Sequence, residues 1–247
     1  MNCIILAAGK NTRLDNGIPK SMLKIGDETL LERHLRQFTK FGIENFCIVT
    51  GYRHHFLEDF IETLDISIKT RITVVHNSKF DLANGISLFQ AKSWVEENSI
   101  NDFFYTMADH YFSEPFVEQA LSSKFSENVL SLVVDKPSQT NEHIDLDDVT
   151  RVQSDGELIQ TIGKHLERYD YFDTGLFHGR REMFDYLEKS ILAGKDSISN
   201  MVQLLTESKQ ASVKEVSGHF WNDVDTQADL SFMRDRVLKL ETPVDFQ

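Results

Sequence analysis

The sequence predicts an α/β fold, a mostly parallel mixed sheet flanked by helices, and three observations carry that expectation. Short apolar runs alternate with longer amphipathic ones from residue 2 to residue 135. The apolar runs are nearly continuous rather than alternating, as in strands covered on both faces. The 247 residues are enough to bury one sizeable core of this kind.

The first run, NCIILA (2–7), reads as a buried strand. TLLERHLRQFTKFG (29–42) reads as a helix, because Leu30, Leu31, Leu35, Phe38 and Phe41 recur at helical spacing and Gly42 follows as a stop. NFCIVT (45–50) is the next strand and RHHFLEDFIETL (53–64) the next helix. RITVVHN (71–77) is a third strand, GISLFQAKSWVEEN (85–98) a helix and DFFYTMAD (102–109) a fourth strand. SEPFVEQALSS (113–123) opens with a Pro two residues in, a favourable helix start, and NVLSLVVD (128–135) is a fifth strand. This β-α-β-α order argues for a parallel sheet with helices on both faces.

The rhythm then changes. Two strands flank Ser154-Asp155-Gly156, a hairpin signal, and YFDTGLFHG (171–179) is another strand. Helices near 180–192 and 196–207, strands at 211–217 and 219–225, and a helix over 226–241 complete the chain. Thr226 is placed to cap that last helix, with Asp229 at its third position. No linker, repeat or low-complexity run interrupts the sequence. The expectation is a single domain over 1–247, with an N-terminal nucleotide half (1–135) and a C-terminal substrate half carrying the terminal helix (136–247).

The formal net charge of −13 argues against non-specific nucleic-acid binding, which needs a basic face. It leaves room for an anionic small molecule at a local positive site. Residues 1–24 supply one, holding Lys10, Arg13, Lys20 and Lys24 against a single carboxylate. The two cysteines, Cys3 and Cys47, lie inside strand-like runs and read as buried free thiols in a reducing compartment. With neither a signal-peptide pattern nor an apolar run near ~20 residues, the expectation is a cytoplasmic protein that does not itself span a membrane.

The positive charge follows the first strand. In an open parallel sheet, ligands bind beyond the carboxyl ends of the strands. Gly9 lies there, where a small residue lets backbone N–H groups approach a phosphate. Neither G-x-x-x-x-G-K-[ST] nor G-x-G-x-x-G is present, so a tight strand exit with solvated lysines is the competing reading. Asp109 ends the fourth strand at the same edge, where it could hold Mg²⁺ against phosphate oxygens or simply terminate a loop. Asp223 and Asp225 are two apart, on one face of an extended segment, where they repel unless a cation is near. His54 and His55 are adjacent and point to different sides of a helix, which reads as a solvated pair rather than a metal site.

The stretch LAAGKNTRL…IPKSMLKIGDETLLERHL resembles the sugar-nucleotidyltransferase signature, L-A-A-G-x-G-x-R-L followed by Pro-Lys and a helix. The resemblance continues through IVTGYR, VHNSKFDLANGISLFQAK, MADHYF, IGKHLERYDYFDTGLF and FWNDVDTQADL, which look like the inositol-1-phosphate cytidylyltransferase branch and its CDP-alcohol-forming relatives. It implies a GT-A-like, Rossmann-type fold and transfer of a nucleotidyl group to a phosphorylated small molecule, with release of pyrophosphate. CTP as donor, inositol 1-phosphate as favoured acceptor and Mg²⁺ as cofactor come from that branch. Phosphocholine, a phosphonate such as 2-hydroxyethylphosphonate, or a sugar 1-phosphate are alternative acceptors. A monomer or homodimer is expected, its product passing to a membrane CDP-alcohol phosphotransferase.

The resemblance implies that Leu6, Ala7, Ala8, Gly9, Lys10, Asn11 and Arg13 wrap the triphosphate and that Lys20 contacts its phosphates. Asn11 stands where the family usually has its second glycine, and Asn tolerates the left-handed backbone such a turn requires. Gly51, Tyr52, Asn84, Gly85 and Ser87 are implied for the base and ribose. Lys164, with Asp173 and Thr174, is implied for the acceptor. Asp109 with one of Asp223 and Asp225, the latter favoured, is implied for Mg²⁺. Arg13, Lys20 and Lys164 are then the catalytic cations, holding two mutually repelling anions together. A GT-A glycosyltransferase would carry D-x-D after a central strand, where this chain reads Asp109-His110-Tyr111. A non-catalytic nucleotide sensor would lose the lysine or the acids, and Lys20, Asp109 and Asp225 are present.

Overall fold

The computed structural model describes residues 1–11, 13–14, 17–122 and 124–241. Thr12 of the opening loop and Ser123, at the end of the expected 113–123 helix, lie outside them. β1 (Asn2–Ala7) runs through the opening loop to a 3-10 turn (Lys20–Met22) and a small hairpin, β2 (Lys24–Ile25) and β3 (Glu28–Thr29). There follow α1 (Leu30–Lys40), β4 (Asn45–Thr50), α2 (His54–Thr63), α3 (Ile66–Lys69) and β5 (Ile72–His76). Next come α4 (Asn84–Gln90), α5 (Lys92–Glu97), β6 (Asp102–Met107), β7 (His110–Phe112), α6 (Glu114–Ser122) and β8 (Leu130–Asp135). The remainder holds β9 (Arg151–Ser154), β10 (Ile159–Gly163), β11 (Tyr171–Arg180), α7 (Met183–Leu192), α8 (Ile198–Glu207), β12 (Ala211–Glu215), β13 (Trp221–Asp223) and α9 (Gln227–Glu241).

The central sheet has nine strands and is mixed. β1 pairs in parallel with β4 and β6, and β4 with β5, so four carboxyl ends share one edge. β8 does not extend this parallel run, as its apolar continuity suggested. It pairs antiparallel with β11 and parallel with β12. The reason is β11, whose ten residues have β8 along one side and β6 and β9 in turn along the other. An apolar run reports burial on both faces, not the direction of its neighbour. The helix expected over 85–98 is broken at Ala91 into α4 and α5, a one-residue interruption that apolar periodicity does not register.

Alternation along β1 divides the core. Ile4 and Leu6 face one layer, with Trp94, Phe184 and Leu205; Cys3 and Ile5 face the other, with Leu35, Phe38 and Phe116. Cys3 and Cys47 are buried free thiols on opposite faces. A third cluster packs Leu230, Met233 and Val237 of α9 on Leu14, Leu23 and Ile25, so the terminal helix covers the opening loop. Its start is a reciprocal cap: the Asp229 amide donates to the Thr226 hydroxyl at 3.2 Å and the Thr226 amide to the Asp229 carboxylate at 2.7 Å.

Candidate active site

The opening loop is fixed from behind. The Tyr52 amide donates to the Ala8 carbonyl at 3.0 Å and the Ala108 amide to the Leu6 carbonyl at 2.9 Å. A Cβ on Gly51 would lie 2.7 Å from the Cβ atoms of Ala8 and Phe80, so only glycine permits this approach. Gly51 and Ala8 therefore support the loop instead of facing a ligand. Asn11 has φ +53°, the left-handed conformation its position in the loop calls for, and its amide donates to the Ile18 carbonyl at 2.8 Å. Arg53 donates to the Gly17 carbonyl, tying the loop to the start of α2. The free side of Gly9 looks onto open space. There a cavity of about 190 Å³ is lined by Leu6, Ala7, Gly9, Lys10, Asn11, Arg13, Lys20 and Asp109, among others. Lys10 pairs with Asp81 at the rim.

A second cavity, of about 430 Å³, shares Arg13 and Asp109 with the first. Lys164, Asp148, Asp173, Asp223 and Asp225 also line it. The border between the two cavities is a chain of alternating charge. Lys20 Nζ lies 2.9 Å from Asp109 Oδ2 and also pairs with Asp225. Asp225 pairs with Arg13, Arg13 with Asp148 at 2.8 Å, and Asp148 with Lys164. β7 and β13 form the two-stranded ribbon that brings the late acids here, setting Asp223 opposite His110. The Val224 amide then donates to the Asp109 carbonyl at 3.0 Å.

The electrostatics follow from these contacts. Burial opposes ionisation of Asp109, but Lys20 and His110 outweigh it and hold the carboxyl well below its usual range. Burial likewise works against the Lys20 charge, and Asp109 and Asp225 overcome it, raising its pKa. Hydrogen bonds from Lys164 and Arg13 lower Asp148 to about 2. Asp173 moves the other way: burial pushes it up to about 6. Burial also raises Asp223.

His110 donates through Nδ1 to Asp109 Oδ1 at 2.9 Å. Its ring occupies the space a Cβ on Gly175 would need, and Gly175 has φ +76°. The glycine of Asp173-Thr174-Gly175 is thus explained by the histidine of β7. Thr174 corrects an expectation: it is fully buried and its hydroxyl donates to the Val133 carbonyl at 2.7 Å, so it supports the strand and does not reach the acceptor cavity. Gly85 and Ser87 are also engaged elsewhere. A Cβ on Gly85 would overlap the Asp196 carbonyl, and Ser87 Oγ accepts from Asn77 at 2.9 Å. Asn84 accepts from the Ile198 amide at 3.0 Å and lines the larger cavity. The start of α4 thus fastens α4 to α8, with Gly85 packed on the Asp196 carbonyl and the Ser87 hydroxyl held by Asn77.

Sequence reading missed Asp148. It lies in the acidic run Asp145-Leu146-Asp147-Asp148, and the only signal was that this run precedes the hairpin carrying Lys164. Asp109 and Asp225 both reach Lys20 Nζ from separate elements, and both offer hard oxygen donors. That set fits a small divalent cation that takes one or two carboxylates and completes its shell with phosphate and water. Asp223 lies opposite His110 and within electrostatic reach of Asp109 and Asp225, and Asp225 is the one of the two late acids that also pairs with Lys20.

Parallel strands ending at a glycine-bearing loop, beside a second cavity joined to it by cations and acids, are the architecture of an NTP transferase domain. The chain belongs to the family of MobA-like NTP transferase domains, whose profile matches residues 3–146. It is 30% identical over 239 residues to the bifunctional IPC transferase and DIPP synthase of Aquifex aeolicus, covering 96% of this chain and 51% of that one. The protein of the same name from Thermococcus kodakarensis is 30% identical over 237 residues, covering 96% and 50%. The chain thus spans about half the length of these curated relatives. The solved inositol-1-phosphate CTP transferase from T. maritima superposes with a TM-score of 0.82 at 26% identity, over 98% of this chain and 97% of that one. Among the described residues no helix is long and apolar enough to cross a membrane.

Proposed function

We propose that this chain transfers the cytidylyl group of CTP to the phosphate of a small alcohol, with inositol 1-phosphate the favoured acceptor, in a magnesium-dependent reaction. The observation that carries the reading is the pair of adjoining cavities sharing Arg13 and Asp109. One suits a triphosphate and the other a phosphorylated polyol. An acceptor phosphate oxygen attacks the α-phosphorus, the bond from that phosphorus to the bridging oxygen breaks, and its electron pair leaves on pyrophosphate. The attacking phosphate is already ionised, so no general base is needed, and catalysis is positioning and charge neutralisation. Arg13 and Lys20 serve the triphosphate, and Lys164 the acceptor phosphate. Asp109 and Asp225 would hold magnesium, which would add positive charge against the triphosphate oxygens.

Two features support a polyol. Seven aspartates line the larger cavity and can accept from hydroxyls: Asp109, Asp145, Asp148, Asp173, Asp223, Asp225 and Asp229. A quaternary ammonium such as choline is held by a cage of aromatic faces, whereas Trp221 is the one Trp, Tyr or Phe ring lining this cavity among the described residues. The CDP-alcohol would then pass to a membrane alcohol phosphotransferase. The test is a matrix of CTP, UTP, dTTP and GTP against inositol 1-phosphate, phosphocholine, a hexose 1-phosphate and 2-hydroxyethylphosphonate, read by pyrophosphate release. CTP with inositol 1-phosphate should give the largest kcat/KM. A larger value for a hexose 1-phosphate with UTP or dTTP would overturn the reading.

A further inference from the structure

We propose a second metal site, for a transition ion with zinc the best fit, made by His54, Glu58 and His76 at the outer end of the parallel edge. His54 and Glu58 are four apart on α2 and so share a face. His76 ends β5, in register with Thr50 at the end of β4. The rings of His54 and His76 have centroids 4.4 Å apart, and His54 Nδ1 lies 3.1 Å from Glu58 Oε2. One ligand atom from each of the three residues lies within 4.8 Å of the others, and among the described residues no other trio of His, Cys, Asp or Glu converges this closely. His55, the histidine that the sequence pairs with His54, is not part of it.

Three details favour an ion over a plain ion pair. Tetrahedral zinc with bonds of roughly 2.0–2.2 Å sets its ligand atoms about 3.3–3.6 Å apart, so small side-chain rotations close this trio. Two imidazoles and one carboxylate suit zinc, nickel or copper and not magnesium, which separates this site from the aspartates around Lys20. The buried Thr50 directs its hydroxyl to the second Glu58 oxygen, at 3.5 Å, the outer contact that orients a ligating carboxylate. The side chains of His54 and Glu58 are 45% and 39% exposed, which leaves the remaining coordination position open to water.

The ion joins the first turn of α2 to the end of β5. Just before α2 lie Gly51, which backs the opening loop, and Arg53, which holds the Gly17 carbonyl. A bound ion therefore fixes the start of α2, directly after these two supports of the opening loop, and none of its ligands lines the smaller cavity. This assignment stands whether or not the proposed acceptor is right.

The test uses the full chain, stripped of metal and titrated with Zn²⁺, and with Co²⁺ as a spectroscopic probe, in excess Mg²⁺. One Zn²⁺ per chain should bind with the Mg²⁺ present, tetrahedral Co²⁺ absorption should appear, and Tm should rise. His76→Ala and Glu58→Gln should each weaken zinc binding at least tenfold and remove the Tm rise, while His55→Ala should leave both intact. All three positions are at the surface, so circular dichroism should show unchanged folding. No saturable Zn²⁺ binding, or binding that His76→Ala retains within twofold, would overturn the proposal.

Discussion

The two cavities are built differently. Among the described residues, the smaller one takes almost all its wall from one stretch, residues 6–21, and adds Ala108 and Asp109 from the turn between β6 and β7. The larger one gathers residues from β6, the 143–150 loop, the end of β10, β11 and the segment after β13. Charge divides the same way. Among the described residues, Lys10, Arg13 and Lys20 face one aspartate in the smaller cavity, while Arg13 and Lys164 face seven in the larger. A polyanion suits the first environment and a hydroxyl-rich molecule with a single phosphate the second. The family profile ends at residue 146, so the match covers the smaller cavity's wall and stops before Lys164, Asp173, Asp223 and Asp225.

Lys20→Met should break this arrangement most severely. It removes the one cation, among the described residues, that pairs with both Asp109 and Asp225, at the border of the two cavities. Removing one preorganised charge from a site that neutralises a developing anion costs on the order of 10²–10³ in kcat, and leaving two carboxylates unpaired adds to that. Steady-state pyrophosphate release should show kcat/KM falling about a thousandfold for both substrates. A loss confined to the acceptor would place Lys20 outside the triphosphate site. Lys164→Ala should be smaller and one-sided, raising the acceptor KM by roughly 10- to 100-fold while CTP binding, read by calorimetry, stays within about twofold. An unchanged acceptor KM would remove Lys164 from the site.

The same contrast decides what could be read before folding. The opening loop was legible because its parts are neighbours in sequence: a strand, Gly9, an Asn at a left-handed position and four cations. The α/β class was legible because apolar runs report burial. The direction of β8 was not, since it depends on β11, some forty residues later. Asp148 and the packing roles of Gly85, Ser87 and Thr174 were illegible for a related reason. Each role depends on a partner outside its own motif: Lys164 and Arg13, the Asp196 carbonyl, Asn77, and the Val133 carbonyl. His76 shows the limit plainly. The sequence reads His54 and His55 as a solvated pair on different sides of a helix, and the sheet brings His76 against His54.

Asp148→Asn sharpens the comparison, because Asp148 holds Arg13 and Lys164 together. A neutral amide keeps the shape and loses most of the attraction, so both cations become more mobile. Arg13 and Asp148 are each partly exposed, which keeps the ion-pair contribution small. The expected result is a fall of about three- to tenfold in kcat/KM for both substrates. A change in acceptor kinetics alone would mean that Arg13 keeps its place without this partner.

Asp173→Asn should have the smallest effect, and it acts on stability. Burial raises the Asp173 pKa from 3.8 to about 6. Between those values the folded chain binds more protons at this position than the unfolded chain does. Stability from this group therefore falls as pH rises from about 4 to about 6, and the cost is complete above that window. A shift of this size corresponds to roughly 3 kcal/mol at most, and the side chain's partial exposure reduces it to about 1–2 kcal/mol. The asparagine carbonyl can still accept from the Gly175 amide, a bond of 2.8 Å in the native chain. Melting curves without divalent cations should therefore give Asp173→Asn a higher Tm than the native chain at pH 7.5, with the difference vanishing near pH 4. A variant less stable at pH 7.5 would mean that the buried carboxylate is better satisfied than its surroundings indicate. It would then contribute to holding β11 in place instead of being a cost carried for the acceptor.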